Sequence, residues 1–381
     1  MERSSSRRLL LVAMVAMMVM AVRADAVNKS SEGVYWSSAK EDESVDHDDF
    51  DGGFSSLDGM LQWAIGHSDP AKLKETAKKV QQSSPDELKK RQLEFKELME
   101  KLKVPSDAQL MQIAIDDLNN SSLALEDRHR ALQELLFLVE SIDNANGRCT
   151  YFNKLGGLPV VIQELNHPDP DIRRLAAWII GQASQNNPAV QEQVLKLGAL
   201  LKLMKMVKSN FIEEAIKCLY AVSALVQNNL AGQELFIAEA GLLLLQDILS
   251  DTSVDIRLQK KAVFLVGDLA GFQLITVHKD EIPFLSNRFF LKSVVDLTAS
   301  SDLELKEKVL ITIKNLLLLR TTEASVFKEF CGLDIALERM RLQLQDLTGE
   351  EDQRDYAMDV ESLRHEVELI FHQKLGKSSN N

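Results

Sequence analysis

The chain has 381 residues, 45% of them hydrophobic and 6% aromatic, with eight prolines. That is enough apolar material for a folded core, and the abundance of Leu, Ala, Glu and Lys favours helix. A formal charge of −13 speaks against binding nucleic acid, which calls for a basic face.

Residues 1–26 carry the pattern of a secretory signal peptide. Arg3, Arg7 and Arg8 precede the apolar run Leu9–Val22, and Ala24-Asp25-Ala26 supplies small residues at the cleavage position. The run rises only about 21 Å at about 1.5 Å per residue, short of a hydrocarbon core of roughly 30 Å, which argues against a membrane anchor. Cleavage after Ala26 removes four basic and two acidic residues and takes the charge to −15 (−13 − 4 + 2). The expected destination is the endoplasmic reticulum lumen, with no membrane contact after cleavage. The terminal Lys377–Asn381 carries no KDEL-type address, which leaves retention or secretion open.

From Val27 to Phe54 the chain is poor in apolar residues and ends in the acidic run Glu41, Asp42, Glu43, Asp46, Asp48, Asp49 and Asp51. Dense like charge with little to bury predicts a disordered tail over 27–54. It lacks the ligand spacing of an EF-hand loop. A helical region follows over 55–145. Leu57, Met60, Leu61, Ala64 and Ile65 share one helical face. Ser84-Pro85-Asp86-Glu87 starts a second helix, and Ser106-Asp107 starts a third through Leu110, Ile113, Ile115 and Leu118. Asn119-Asn120-Ser121-Ser122 breaks it before a helix with Leu132, Leu135, Leu136 and Val139. Asn28, Asn119 and Asn120 each begin an N-x-S sequon and are candidate glycan acceptors in a translocated chain.

Residues 146–340 repeat. Gln185-Asn186-Asn187 returns as Gln227-Asn228-Asn229 at an offset of 42, and Trp178 falls on Tyr220. One inserted residue later, Gly198-Ala199-Leu200 pairs with Gly241-Leu242-Leu243. Leu155-Gly156-Gly157-Leu158 and Cys331-Gly332-Leu333 repeat the signal, each Gly being expected at a left-handed corner between helices. Between Gly241 and Gly332 there is room for two repeats, the middle one without its Gly. A period of about 40–47 residues made only of helix signals marks an armadillo or HEAT solenoid. The expected fold is therefore all-α, an armadillo-like right-handed superhelix of about four repeats with helical caps at both ends. The C-terminal cap is placed at 341–376, opened by the capping box Thr348-Gly349-Glu350-Glu351 and carrying the stripe Val360, Leu363, Val367, Ile370 and Phe371.

On the long third helices, Trp178/Gln182, Tyr220/Ala224, Phe264/Asp268 and Ile311/Asn315 are pairs at i, i+4 and share one face. They resemble the W-x-x-x-N ladder of armadillo repeats. Only Trp178 keeps the Trp and only Asn315 the Asn, so an extended basic peptide, the ligand of importin grooves, is not expected.

Three cysteines, Cys149, Cys218 and Cys331, suit neither a disulfide scaffold nor a zinc site. Cys218 reads as a core residue, and a single Cys149–Cys331 bridge in an oxidising lumen is left open. No catalytic motif is present. His365-Glu366 is followed by Leu369 where a zinc-binding helix would need His, and neither a phosphate-binding loop nor a nucleophile elbow occurs. No enzymatic activity, cofactor or metal is expected.

Leu57–Pro70 (LDGMLQWAIGHSDP), Asn153–Leu165 (NKLGGLPVVIQEL) and above all Arg173–Leu200 (RRLAAWIIGQASQNNPAVQEQVLKLGAL) resemble the armadillo-type nucleotide exchange factors of 70-kDa heat-shock chaperones. Gly147–Phe152, before the first repeat, is longer than that family's usual junction. The resemblance implies a curved array that grips lobe II of the chaperone's ATPase domain, opens the nucleotide cleft and speeds ADP release. It places the contacts on the concave face, at Trp178, Gln182, Gln185, Asn186, Tyr220, Gln227, Asn228, Asp268 and Asn315. With the signal peptide, it makes the lumenal chaperone BiP the expected partner of a monomer, and the acidic tail a parallel to the family's mobile N-terminal segment. The alternative is an armadillo scaffold of the secretory pathway that binds another protein without affecting nucleotide.

Overall fold

The computed structural model describes residues 105–140, 152–276, 282–347 and 353–378, with Lys90 and Leu93 besides. The signal peptide, the acidic tail, the helix at Leu57–Ile65, the Ser84 cap, the Gly147–Tyr151 junction, Cys149 and the capping box at Thr348–Glu351 lie outside these residues. The chain divides into two compact units, Met1–Ile113 and Ala114–Asn381. The first is described almost only at its C-terminal end, and the repeats belong to the second.

Helix α1, Asp107–Asn119, starts on the expected cap. Gln109 N donates to Ser106 Oγ at 3.3 Å, and Ser106 N donates back to Gln109 Oε1 at 2.8 Å. Its buried face is Leu110, Met111, Ala114, Ile115 and Leu118, while Ile113 is 50% exposed. Of the four apolar positions read from the sequence, only Ile113 turns outward, because 110, 111, 114, 115 and 118 already make up the packed face. Helix α2, Leu125–Glu140, buries Leu132, Leu135, Leu136 and Val139 as its pattern predicts.

The repeats then follow in threes. Helices α3 (Gly157–Glu164) and α4 (Pro170–Ser184) complete a first unit after a helical turn at 152–154. The second is α5 (Pro188–Lys196), α6 (Ala199–Met206) and α7 (Ile212–Val226). The third is α8 (Leu230–Ala238), α9 (Gly241–Ser250) and α10 (Ile256–Ile275). In the fourth a 3-10 turn, Pro283–Ser286, replaces the first helix before α11 (Arg288–Asp296) and α12 (Leu303–Leu318). A π turn, Val326–Phe330, opens a fifth, with α13 (Leu333–Leu347) and α14 (Arg354–Ser378). The long helices α2, α4, α7, α10, α12 and α14 pack side by side in that order. Among the described residues there is no strand, and the fold is the all-α armadillo-like solenoid expected. Helix α13 crosses position 341, where the sequence suggests a separate cap, and α14 extends the row of third helices.

The left-handed corners differ from the sequence reading at one place. Gly156, Gly198 and Gly332 take φ of 75°, 71° and 68°, but the third unit uses Ala240, at φ 60°, and not Gly241. The interval is therefore 42 residues twice over (198 − 156 and 240 − 198), and the inserted residue disappears. Gly241 has another task. A Cβ there would lie 2.4 Å from the Phe236 ring, as one at Gly157 would lie 2.1 Å from Phe152. In the second unit the equivalent pair is Val194 and Ala199, both buried, so a smaller side chain faces a methyl group. Because a left-handed Ala costs roughly 1 kcal/mol, Ala240→Gly should raise stability by about 1 kcal/mol, read as a higher urea midpoint at unchanged m-value.

Polar side chains tie unit to unit. Glu214 of α7, 1% exposed, accepts both Nε and Nη2 of Arg173 in α4, the second at 2.9 Å. Arg173 Nη1 also donates to the carbonyls of His167 and Pro168, at 2.9 and 2.7 Å. Arg128 of α2 reaches Glu164 of α3 at 2.5 Å. Thr312 Oγ1 and Asn315 Nδ2 of α12 donate to the carbonyls of Val263 and Gly267 in α10, both at 3.0 Å. Helices α7 and α10 meet over a shorter stretch, linked by Arg257–Glu213 at 2.8 Å between side chains about half exposed. On α14, Val360, Val367 and Phe371 are buried but Leu363 and Ile370 only half-buried, and Arg364 occupies the middle of the stripe, paired to Glu361 at 2.8 Å and Glu368 at 3.1 Å.

Candidate partner-binding face

The third helices present the residues singled out in the sequence, and the chain has local reasons to put them there. Asp169 caps α4, accepting from Asp171 N and Ile172 N, with Pro170 at the first helical position. This fixes the phase at which Trp178 and Gln182, one turn apart, emerge. Trp178 is half-buried and carries the Lys217 ammonium of α7 at 3.4 Å above its ring. Tyr220, one unit on, donates its hydroxyl to Gln185 Oε1 at 3.0 Å. Gly181 lets α4 and α7 approach closely, since a Cβ there would stand 2.5 Å from the Tyr220 ring and 3.2 Å from Ala221 Cα.

The doubled Gln-Asn-Asn segments are corners. Gln185 and Gln227 end α4 and α7 in extended conformation. Asn186 and Asn228 follow, exposed and left-handed at φ 52° and 53°. Asn187 and Asn229 then cap the next helices, accepting from Val190 N and Gly232 N. Asn tolerates positive φ better than other non-Gly residues, so a geometric need accounts for the motif. These corners lie at the ends of the third helices, where Trp178, Tyr220 and Asp268 lie within them.

Asp268 and Asn315 differ in how they are used. Asn315 is committed to the Gly267 carbonyl. Asp268 is half-buried, its Oδ2 is enclosed without a hydrogen-bond partner, and burial pushes its carboxyl up to about 6. A folded-state value above the unfolded 3.8 means that the neutral form is favoured. That advantage is full below about pH 4 and is lost as pH rises through 6. Asp268→Asn should therefore be more stable than the parent at pH 7.5 by about 2 kcal/mol, allowing for partial solvent screening, and show no gain at pH 4. Urea midpoints at the two pH values measure it.

Three lysines were not singled out in the sequence. Lys261 of α10 lies 5.4 Å from the Tyr220 ring centre and Lys308 of α12 lies 5.5 Å from that of Phe264, repeating the Lys217–Trp178 arrangement. Each stands three residues before the ladder position of its own helix, Lys217 before Tyr220, Lys261 before Phe264 and Lys308 before Ile311, but the ring it covers belongs to the preceding unit. Phe264 itself is 37% exposed.

Of the other candidates, Asn119 is the last residue of α1 and exposed. Asn120 is exposed in the turn beyond, its Oδ1 accepting from Ser122 N and Oγ at 3.1 and 2.8 Å. Asn28 lies outside the described residues. Cys331 is a free, buried thiol pushed up to about 11 by burial, and Cys149, the other end of the bridge left open, lies outside the described residues. Cys218 is buried and free, as its apolar helix suggests. Among the described residues no group of His, Cys, Asp or Glu could hold a metal, and no helix is long and apolar enough to cross a membrane.

A row of long third helices joined by short first and second ones defines an armadillo repeat protein. Among solved structures, the designed armadillo repeat protein YIII(Dq)4CqI superposes with a TM-score of 0.50 at 17% identity, covering 67% of this chain and 99% of its own. A second engineered protein reaches 0.52 at 15% identity, over 84% of this chain and 71% of that one. Sequence is more specific than shape here. The SIL1/FES1/HPBP1 C-terminal domain model matches residues 148–372, and the nucleotide exchange factor Fes1 model matches 57–147. The chain belongs to the SIL1/FES1/HPBP1 family. It is 28% identical over 309 residues to the nucleotide exchange factor SIL1 of Mus musculus, covering 74% of this chain and 64% of that one. It is 31% identical over 176 residues to the Hsp70 nucleotide exchange factor FES1 of Coccidioides immitis, covering 46% of this chain and 79% of that one. The chain thus spans a little under two thirds of the mouse relative. These relatives are named for exchange of a bound nucleotide and not for a bond-making reaction, in keeping with a non-enzymatic chain.

Proposed function

We propose that this chain is a nucleotide exchange factor for a 70-kDa heat-shock chaperone, acting through its third-helix face on the ATPase domain and promoting ADP release. The observation that carries the reading is that the family match, residues 148–372, coincides with the packed row of third helices from α4 to α14. Such a factor needs no reactive side chain. A protein that binds the open ATPase domain more tightly than the closed one shifts that equilibrium by the difference in affinity alone. What it needs is a firm surface with a few anchors, and Trp178, Gln182, Tyr220, Asp268 and Asn315 are assigned to it, with Gln185, Asn186, Gln227 and Asn228 at its edge. The signal-peptide pattern at 1–26 and the likeness to mouse SIL1 support a lumenal site of action and BiP as the chaperone.

The test is stopped-flow release of labelled ADP from purified BiP. Near-stoichiometric protein should accelerate release several-fold, and the cytosolic chaperone should respond less. Binding without acceleration would overturn the exchange reading and leave the scaffold alternative.

A further inference from the structure

The phenylalanines around the start of α11 are put to two different uses. Asn287 caps the helix, its Oδ1 accepting from Phe289 N at 2.9 Å and Phe290 N at 3.4 Å. That start sends Phe290 into the core, fully buried, with its ring 5.2 Å from that of Phe284 in an edge contact. Phe289 stays outside, 54% exposed, and meets Phe330, 37% exposed, edge to face with ring centres 5.3 Å apart. Phe330 ends the π turn, whose other phenylalanine, Phe327, is buried. The core is thus served by Phe290 and Phe327, while Phe289 and Phe330 remain largely on the surface. Scattered apolar side chains on a surface are ordinary, but a paired set of exposed rings is not scattered. Helices α9 and α13, which pack against α11, carry the exposed Leu243 and Ile335 at the same amino-terminal end.

Arg288 is exposed as well, and its guanidinium lies 4.9 Å from the Phe289 ring centre and 5.0 Å from that of Phe330. Among the described residues no carboxylate pairs with it and no oxygen accepts from its N–H groups. Lys292, one turn on, is paired with Asp296, and Glu329, next to Phe330 in the chain, is exposed without joining Arg288. On a chain of net charge −13, this is a positive charge left without a counter-charge. Two rings hold it in place, so less freedom is lost when a carboxylate takes its planar fork of donors.

We infer that Arg288, Phe289 and Phe330 form a docking point for a partner protein's segment in which a carboxylate stands next to an aromatic side chain. The carboxylate takes the Arg288 donors, and the aromatic side chain covers the Phe289–Phe330 pair. Charge complementarity selects an acidic segment over a basic one, and the exposed rings select an aromatic one over a merely acidic one. None of the three residues belongs to a third helix, so the docking point stands apart from the exchange-factor reading and can be filled while the third-helix face is occupied.

The test uses the full chain and the fluorescein-labelled peptide Gly-Glu-Phe-Asp-Phe-Glu-Gly, followed by anisotropy. The peptide should bind, and Arg288→Gln and Phe289→Ala should each weaken it about tenfold. Both positions are exposed, so these variants should keep the parent's circular dichroism. Phe264→Ala, which removes a part-exposed ring from the third-helix face, should bind as the parent does. Peptides with Ala in place of Phe, or Lys in place of the acidic residues, should bind about tenfold more weakly or not at all. Absence of binding, equal affinity in the Arg288 and Phe289 variants, an equal loss in Phe264→Ala, or no preference over the Ala or Lys peptide would each overturn the docking point. Arg288-dependent binding to phosphatidylserine vesicles without binding to the peptide would assign the patch to a membrane surface and overturn it too.

Discussion

Replacing Glu214 by Ala should cost about 3 kcal/mol of stability, the lower end of the range for breaking a buried ion pair. Glu214 is 1% exposed and takes two nitrogens of Arg173, and Ser209 Oγ donates to it at 2.6 Å. Its loss leaves a guanidinium whose side chain is only 19% exposed facing an apolar gap. A guanidinium does not lose its proton in a protein, so the arginine cannot escape by becoming neutral. The low end is expected because Arg173 keeps the His167 and Pro168 carbonyls. Glu214→Gln, which keeps shape and one acceptor, should lose less. A ranking of parent, Gln, Ala by urea midpoint is the expected outcome, and Ala equal to the parent would contradict it.

The second large effect is expected at Gly181. A valine there would drive its side chain into the Tyr220 ring and against the Ala221 backbone, and overpacking of this kind costs about 1–3 kcal/mol. The ring can swing but the Ala221 backbone cannot, so part of the strain must be met by separating α4 from α7. Tyr220 would then lose Gln185, and Lys217 its place over Trp178. If the third-helix face binds the chaperone as proposed, the variant should show weaker chaperone binding as well as lower stability, with the binding loss persisting at temperatures where the protein remains folded. Gly198→Ala is the control. It sits at a left-handed corner with open space around it, and should cost about 1 kcal/mol without touching binding.

The comparison of sequence with structure turns on what a repeated residue type means. The interval from Trp178 to Tyr220 and the doubled Gln-Asn-Asn were legible because side-chain identity and backbone geometry coincide there. Glycine is ambiguous. Gly156 and Gly198 are needed for positive φ, while Gly157 and Gly241 are needed to clear a phenylalanine ring, and one letter serves both. Aligning Gly241 with Gly198 consequently introduced a spurious insertion, and the left-handed Ala240 had no signature by which to be found. The last units were harder still, because a 3-10 turn and a π turn stand where helices were expected. Of the residues proposed to face the partner, the aromatic and amide positions were visible through the ladder pattern. The lysines over the rings were not, because their meaning depends on which helix lies beside which.

A row of units bound only to their neighbours is as cooperative as its thinnest joint. Between α4 and α7 the joint has a buried ion pair and a glycine contact, and between α10 and α12 two side-chain bonds to backbone. The joint from α7 to α10 rests on an ion pair open to solvent and a lysine over a tyrosine. Under heat or load the array should part there first, falling into an amino-terminal and a carboxy-terminal block. The two blocks then flex about that joint while each stays rigid.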